Sequence, residues 1–396
     1  MKRDAPSMIK AETWDLIQRL VGFDTTSRES NLGLIEWVRD WLKSCGVESR
    51  LTYDSSGTKA NLFATIQKGA RPGVVLSGHT DVVPVDGQPW DTDPFKATLK
   101  DDRIYGRGSA DMKSYLACAL AMTPRFLAVD LKCPVHFALS YDEEVGCMGV
   151  RGLIADLAQA GIKPAGCIIG EPTSMQPVVA HKGKRAYRCC FRGREAHSAL
   201  TPQGVNAIEY AAKLVVHIRN MAERMRDREP RDNGFDVPFT TLQTGVIKGG
   251  TAANIVPRDC EVHFEFRYLP GVDPDALESE IKAYAERVLL PEMRTVDPAT
   301  FISFETKAEI PGLDPTVERA AQDRVTSLAQ TLARNQSIAK VAYATEAGLF
   351  QRAGIPSIIC GPGSIEQAHK PNEFIALEQV ALCESFMERL LAELMR

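Results

Sequence analysis

The sequence has no CxxC pair, no long apolar run and no block of like charge, and each absence removes a class of function. Its ten cysteines are scattered, and the adjacent Cys189 and Cys190 cannot easily bond to each other. Cys118, Cys167 and Cys360 sit in apolar runs, so reduced, buried thiols in a cytoplasmic protein are expected. No apolar run approaches the ~18 residues that span a bilayer. Met1 to Lys10 is polar and lacks an apolar h-region, so no secretory signal is expected. With 47 basic and 51 acidic residues the formal net charge is -4, and the one charge-rich run, Arg224 to Asp232, mixes both signs. It reads as a solvated helix end followed by a loop, and nucleic acid is excluded as a partner. There is no internal repeat, no low-complexity tract and no Gly-x-Ser-x-Gly elbow, which counts against a serine esterase of the α/β-hydrolase type.

What is present is an ordinary globular composition, 44% hydrophobic and 25% charged, in 396 residues. That length exceeds what one core usually fills, so two domains are expected. In the first third, strands and helices alternate. Val74 to Ser77, Val135 to Ser140 and Cys167 to Ile169 read as buried strands. Helices are expected at about 112–129 and 150–160, and Leu34, Val38, Trp41 and Leu42 mark another that stops at Gly46. This grammar predicts an α/β domain with a mostly parallel sheet between helices. The middle differs. Tyr187 to Phe191, Thr241 to Ile247 and Glu261 to Tyr268 read as strands, the last with Val262, Phe264 and Phe266 on one face. Helices are expected at 205–226 and 274–289. One-face-apolar strands predict an antiparallel sheet in an inserted α+β domain. Afterwards the first grammar resumes. Ala321, Val325, Leu328 and Leu332 mark a helix, Ser357 to Cys360 a strand, and Leu382, Phe386, Leu390 and Leu394 a terminal helix. The predicted organisation is 1–182 and 307–396 as one discontinuous α/β domain, with 183–306 inserted.

The chemistry gathers where strands end, the usual ligand crevice of open α/β sheets. His79-Thr80-Asp81 follows the first buried strand. Neutral imidazole is a good ligand for zinc-like metals, and a carboxylate two residues on can hold the other ring nitrogen. Asp111 lies in Gly106-Arg107-Gly108-Ser109-Ala110-Asp111, where an N-cap is the plain alternative to a metal ligand. Glu143 and Glu144 follow the strand at 135–140, an unfavourable place for two acids without a cation. Glu171 follows the next strand, and His369 lies in the loop from Gly361 to Pro371. Each is weak alone. Together they supply two divalent metals ~3.5–4 Å apart with a bridging water. Oxygen and nitrogen donors without cysteine suit zinc, cobalt or manganese alike.

These segments, with Ala196-His197-Ser198 and Gly249 to Pro257, resemble the two-zinc aminoacylase/peptidase family (M20-type metallohydrolases) over essentially the whole chain. Gly170 to Gly183, Thr345 to Phe350 and Gly361 to Phe374 look most like its acetylornithine-deacetylase branch. The resemblance implies that His79 and Glu171 complete one metal site and Glu144 and His369 the other, with Asp111 bridging. Zinc is implied first and cobalt second. It also implies that Asp81 orients His79, that Glu143 is the general base, and that the Asp111-Met112 peptide is cis. The inserted domain would be a lid and dimerisation domain, giving a homodimer in which His197 acts in the partner's active site. Asn254 and Arg267 would bind the substrate carboxylate. The implied reaction is hydrolysis of N2-acetyl-L-ornithine to L-ornithine and acetate, a step of arginine biosynthesis. Desuccinylation of succinyl-diaminopimelate, general aminoacylase action and exopeptidase action are the alternatives, as is a catalytically silent binding module. Ser114 and Glu265 depart from the family's usual glycine and aspartate. His136 and His217 read as strand and helix-face residues, and His181 as a candidate lining of the substrate pocket.

Overall fold

The computed structural model describes residues 8–396 apart from 68, 70 and 229. Most of the Met1 to Lys10 segment therefore lies outside the described residues, as does one residue of the charge-rich run. The chain divides into two compact units, one of Met1–Ala180, Leu313–Lys340 and Thr345–Arg396, the other of His181–Gly312 and Val341–Ala344.

The first unit is built on an eight-stranded sheet. Its order is Ser49–Tyr53, Ala60–Ile66, Val135–Ser140, Val74–His79, Gly166–Pro172, Ser357–Gly361, Val178–His181 and Ala339–Val341. The four strands from Val135–Ser140 to Ser357–Gly361 run parallel to one another. Every residue of those four is buried. A strand covered on both faces has no polar side to show, which is why these segments read as unbroken apolar runs. Helices Ala11–Val21, Leu32–Ser44, Ser114–Ala121, Arg319–Ala333 and Leu377–Leu394 add to the same apolar core, and Val150–Gln159 buries Val150, Leu153 and Leu157. Leu32–Ser44 buries Leu34, Ile35, Val38 and Leu42, one helical stripe, and Gly46 follows it at φ +84°. That left-handed position is the stop the sequence announced.

Several details differ from the sequence reading. The helix expected over 112–129 is an irregular turn, Ser109–Lys113, then Ser114–Ala121 and Thr123–Leu127. Pro124 opens the last piece, because it has no N–H to continue the preceding turn. In the terminal helix Leu382 is 40% exposed, and the buried stripe is Val380, Cys383, Phe386, Met387, Leu390 and Leu394. In Arg319–Ala333 the buried polar residue Gln322 bonds Ser357, while Ala321 and Leu328 are half-buried. All ten cysteines are free. Among the described residues no helix is long and apolar enough to cross a membrane.

The second unit is a four-stranded antiparallel sheet in the order Thr241–Gly249, Asp259–Tyr268, Gly183–Arg192, Phe301–Ile310. Asp259–Tyr268 alternates cleanly, burying Cys260, Val262, Phe264, Phe266 and Tyr268. Helices Ala207–Arg228 and Pro274–Tyr284 contribute to that core through Leu214, Ile218, Leu277 and Ile281. The last strand pairs through to Ile310↔Lys184, past the 306 boundary expected from sequence.

Candidate metal centre

All the strand-end residues converge in the first unit. His79 ends its strand with the ring 1% exposed. Its Nε2 lies 3.0 Å from Asp111 Oδ1 and 3.8 Å from Glu171 Oε1. His369 Nε2 lies 3.0 Å from Glu144 Oε2 and 3.5 Å from Asp111 Oδ2. Asp111 thus stands between the two imidazoles with one oxygen toward each. The Asp111-Met112 peptide is cis. Two groups of donor atoms, from His79, Glu143 and Glu171 and from His79, Asp111 and Glu144, each lie within 4.8 Å of one another.

The electrostatics show what such a cluster needs. Burial pushes the Glu143 and Glu171 carboxyls well above the usual range, and neighbouring acids push the same way. Glu144 is raised too, by burial and by Asp111. Burial would also raise Asp111, but hydrogen bonds from His369 and His79 hold it below its ordinary value. Burial opposes a charge on His79, yet Asp111 and Glu171 lift it well above its usual value. Hydrogen bonds to Asp111 and Glu144 lift His369 to about 10. The acids draw positive charge onto the imidazoles. A divalent cation supplies that charge directly and takes neutral imidazole as a ligand, so the donor set fits a metal.

Supporting residues fix the cluster. His79 Nδ1 meets the Asp81 backbone carbonyl at 2.8 Å, nearer than the Asp81 carboxylate at 3.6 Å. The sequence led to the expectation that the Asp81 carboxylate would hold this ring nitrogen; the carboxylate instead accepts Ser27 Oγ at 2.8 Å and the N–H groups of Glu143 and Glu144 at 3.1 and 3.3 Å. Asp81 therefore anchors the acidic loop as well. Cys147 Sγ donates to Glu143 Oε1 at 3.2 Å. Two acids went unassigned from sequence. Glu346 is 1% exposed and bonds Ser140, in the strand that leads to Glu143, with burial raising its carboxyl to about 7. Glu373 is equally buried and receives the N–H groups of Gly108, Ala110 and Asp111. The available signal was position alone, since both lie in stretches already notable for resemblance. Ser114, the departure from glycine, bonds the Ser109 carbonyl at 2.6 Å and helps close the same loop.

The remaining expected residues lie in the second unit. His197 is exposed, on the short strand Ala196–His197 that pairs with Ile255–Val256, and its Nδ1 accepts the Ala199 N–H at 3.1 Å. Asn254 is exposed, and its carbonyl accepts the Ser198 N–H at 3.0 Å. Arg267 is half-buried on the polar face of its strand, with Nε 3.1 Å from Glu265 Oε1. His181 is wholly buried, with Nδ1 2.9 Å from the Lys182 carbonyl. In the first unit His136 stacks on Phe63, and in the second His217 stacks on Tyr284.

Comparison with known proteins places this arrangement. The chain is 32% identical over 368 residues to a protein named acetylornithine deacetylase from Aliivibrio salmonicida, covering 93% of each chain. It is 34% identical over 384 residues to one of the same name from Myxococcus xanthus, covering 95% of this chain and 96% of the other. An M20 family metallo-carboxypeptidase from Sulfolobus solfataricus shares the fold, with a TM-score of 0.75 at 18% identity, covering 97% of this chain and 99% of the other. With the donor cluster, these likenesses define a metal-dependent hydrolase of amide bonds. Residues 75–393 match peptidase family M20/M25/M40, and the chain belongs to that family.

Proposed function

We propose that this enzyme hydrolyses N2-acetyl-L-ornithine to L-ornithine and acetate, in arginine biosynthesis, as a cytoplasmic homodimer with two zinc ions, for which cobalt can substitute. The observation that carries this reading is the shared name of its relatives. Eight curated proteins matched over 89% or more of either chain, at 31 to 34% identity, are called acetylornithine deacetylase.

In this reading His79 and Glu171 would hold one ion and Glu144 and His369 the other, with Asp111 available to both, which accords with its oxygens facing the two imidazoles. When bound, the ions polarise the acyl carbonyl and bring the pKa of water toward ~7. Glu143 takes the proton from the attacking water and returns it to the departing amine. Asp81 keeps His79 in the right tautomer and the Glu143-Glu144 loop in place. His197 of the partner subunit donates a hydrogen bond to the developing oxyanion. Asn254 and Arg267 bind the amino-acid carboxylate, for which the guanidinium fork is suited. The second unit serves as lid and dimerisation domain, and the chain passes between the units near residues 181 and 312 and on either side of Val341–Ala344.

Release of ornithine from N2-acetyl-L-ornithine, measured beside hydrolysis of N-succinyl-diaminopimelate, tests the substrate. Rapid turnover of the acetyl compound alone is expected. Turnover of the succinyl compound alone would make the enzyme a desuccinylase.

A further inference from the structure

One buried ion pair joins the loops that carry Asp111 and His369. Glu373 and Arg107 are each 1% exposed, with Arg107 Nη1 2.7 Å from Glu373 Oε2. Glu373 Oε1 accepts the N–H groups of Ala110 and Asp111 at 2.9 and 3.1 Å, and Oε2 that of Gly108 at 3.1 Å. Arg107 Nη1 also donates to the Lys370 carbonyl at 3.3 Å, and its Nη2 donates to Gln88 Oε1 at 2.6 Å. Gln88 Nε2 in turn donates to the His369 carbonyl at 3.0 Å. The Trp90 indole donates to Gln88 and lies 5.2 Å from the Arg107 guanidinium. The circuit runs from the Asp111 backbone to the His369 backbone without using any candidate metal donor.

Stability alone does not account for this pair, because an apolar replacement of a buried ion pair is often no less stable. What the pair does is fix geometry. His79 and Glu171 need little help, since both lie within strands of the central sheet. Asp111 and His369 lie outside any strand, and His369 sits at φ +64° with its side chain 53% exposed. Resting on the two-ion reading above, we propose that Glu373, through Arg107 and Gln88, is a positioning residue that sets the spacing of Asp111 and His369. It thereby governs affinity chiefly for the ion held by Glu144 and His369, whose ligands Asp111 and His369 it sets, and bears on the His79-Glu171 ion only through the shared Asp111.

Calorimetric titration of zinc into the metal-free, full-length protein tests this, with thermal melting of the same metal-free samples. Parent protein, Glu373→Gln and Gln88→Leu are compared. Glu373→Gln keeps the shape but turns an NH2 group toward donors; Gln88→Leu cuts the link to His369 and leaves the Asp111 loop intact. The parent is expected to bind two ions. Gln88→Leu should keep one ion at parental affinity and bind the second at least ~10-fold more weakly, the usual scale for residues that orient metal ligands, and Glu373→Gln, which also loosens the shared Asp111, should weaken the second ion at least ~10-fold more than the first. Two ions bound at parental affinity in both variants would overturn the proposal. Equal weakening of both ions, in step with a lower melting temperature, would show a merely structural role and overturn it too. If Glu373→Gln does not fold, Gln88→Leu decides alone. A parent that binds fewer than two ions would instead remove the two-ion reading on which the inference rests.

Discussion

At Glu143 two roles compete for one carboxylate. Its oxygens lie close enough to His79 and Glu171 to serve as a metal ligand, yet its N–H is tethered to Asp81 and it accepts the Cys147 thiol, an arrangement suited to a fixed base. As a base, its loss removes proton transfer but not metal. Glu143→Ala is expected to lower turnover by ~10² or more with the metal content unchanged, assayed by product release and elemental analysis. Loss of one ion in that variant would make Glu143 a ligand. A second residue-scale prediction concerns His136. Burial against Phe63 lowers its imidazole from the usual 6.5 to about 4. The folded state binds the proton less well than the unfolded chain. Its contribution to stability is therefore complete above ~6.5 and lost as pH falls through about 4. In metal-free protein, His136→Gln is expected to lose less stability than the parent between pH 7 and 5 in urea titrations. An equal loss would deny His136 that role.

At the scale of the element, the central strands do the positioning, and their packing leaves little room. A Cβ at Gly170 would meet the Tyr115 ring at 2.0 Å, so the strand bearing Glu171 lies as close to that ring as its glycine permits. Gly170→Ala is expected to destabilise the protein by about 1–3 kcal/mol and to weaken metal binding through Glu171, measured by denaturant titration and metal content. Unchanged stability would show that Tyr115 can move aside. The same burial explains what the sequence disclosed. Val135–Ser140 and Val74–His79 were legible as strands because both faces are covered, and the residues that follow them pointed to chemistry because acids and imidazoles rarely follow buried strands without reason. Ser49–Tyr53 and Phe301–Ile310 escaped notice because each is an edge strand with many half-buried or exposed side chains, so neither shows a buried apolar run. Glu373 was illegible for a different reason. Besides the Arg107 side chain its partners are backbone N–H groups 262 to 265 positions away, and no side-chain pattern records such a meeting. Which atom of Asp81 meets His79 was not legible, since nothing in His-x-Asp says whether the carbonyl or the carboxylate faces the ring.

For the whole molecule, the proposed dimer makes a claim that neither unit makes alone. If His197 acts in the partner's active site, a protomer with Glu143→Ala and one with His197→Ala can together form one complete site. Each variant is expected to be nearly inactive alone, and mixing them after subunit exchange should restore part of the parental rate. No recovery on mixing, with exchange verified, would place His197 outside the partner's chemistry.

The central claim, that the cluster around Asp111 is a two-ion centre for amide hydrolysis, is tested most directly by metal reconstitution. Zinc or cobalt is added in measured steps to chelated protein while release of acetate from N2-acetyl-L-ornithine is followed. The account predicts no activity without metal and a rise that saturates at two equivalents per chain. Undiminished activity in the chelated protein, shown by elemental analysis to be free of metal, would contradict it.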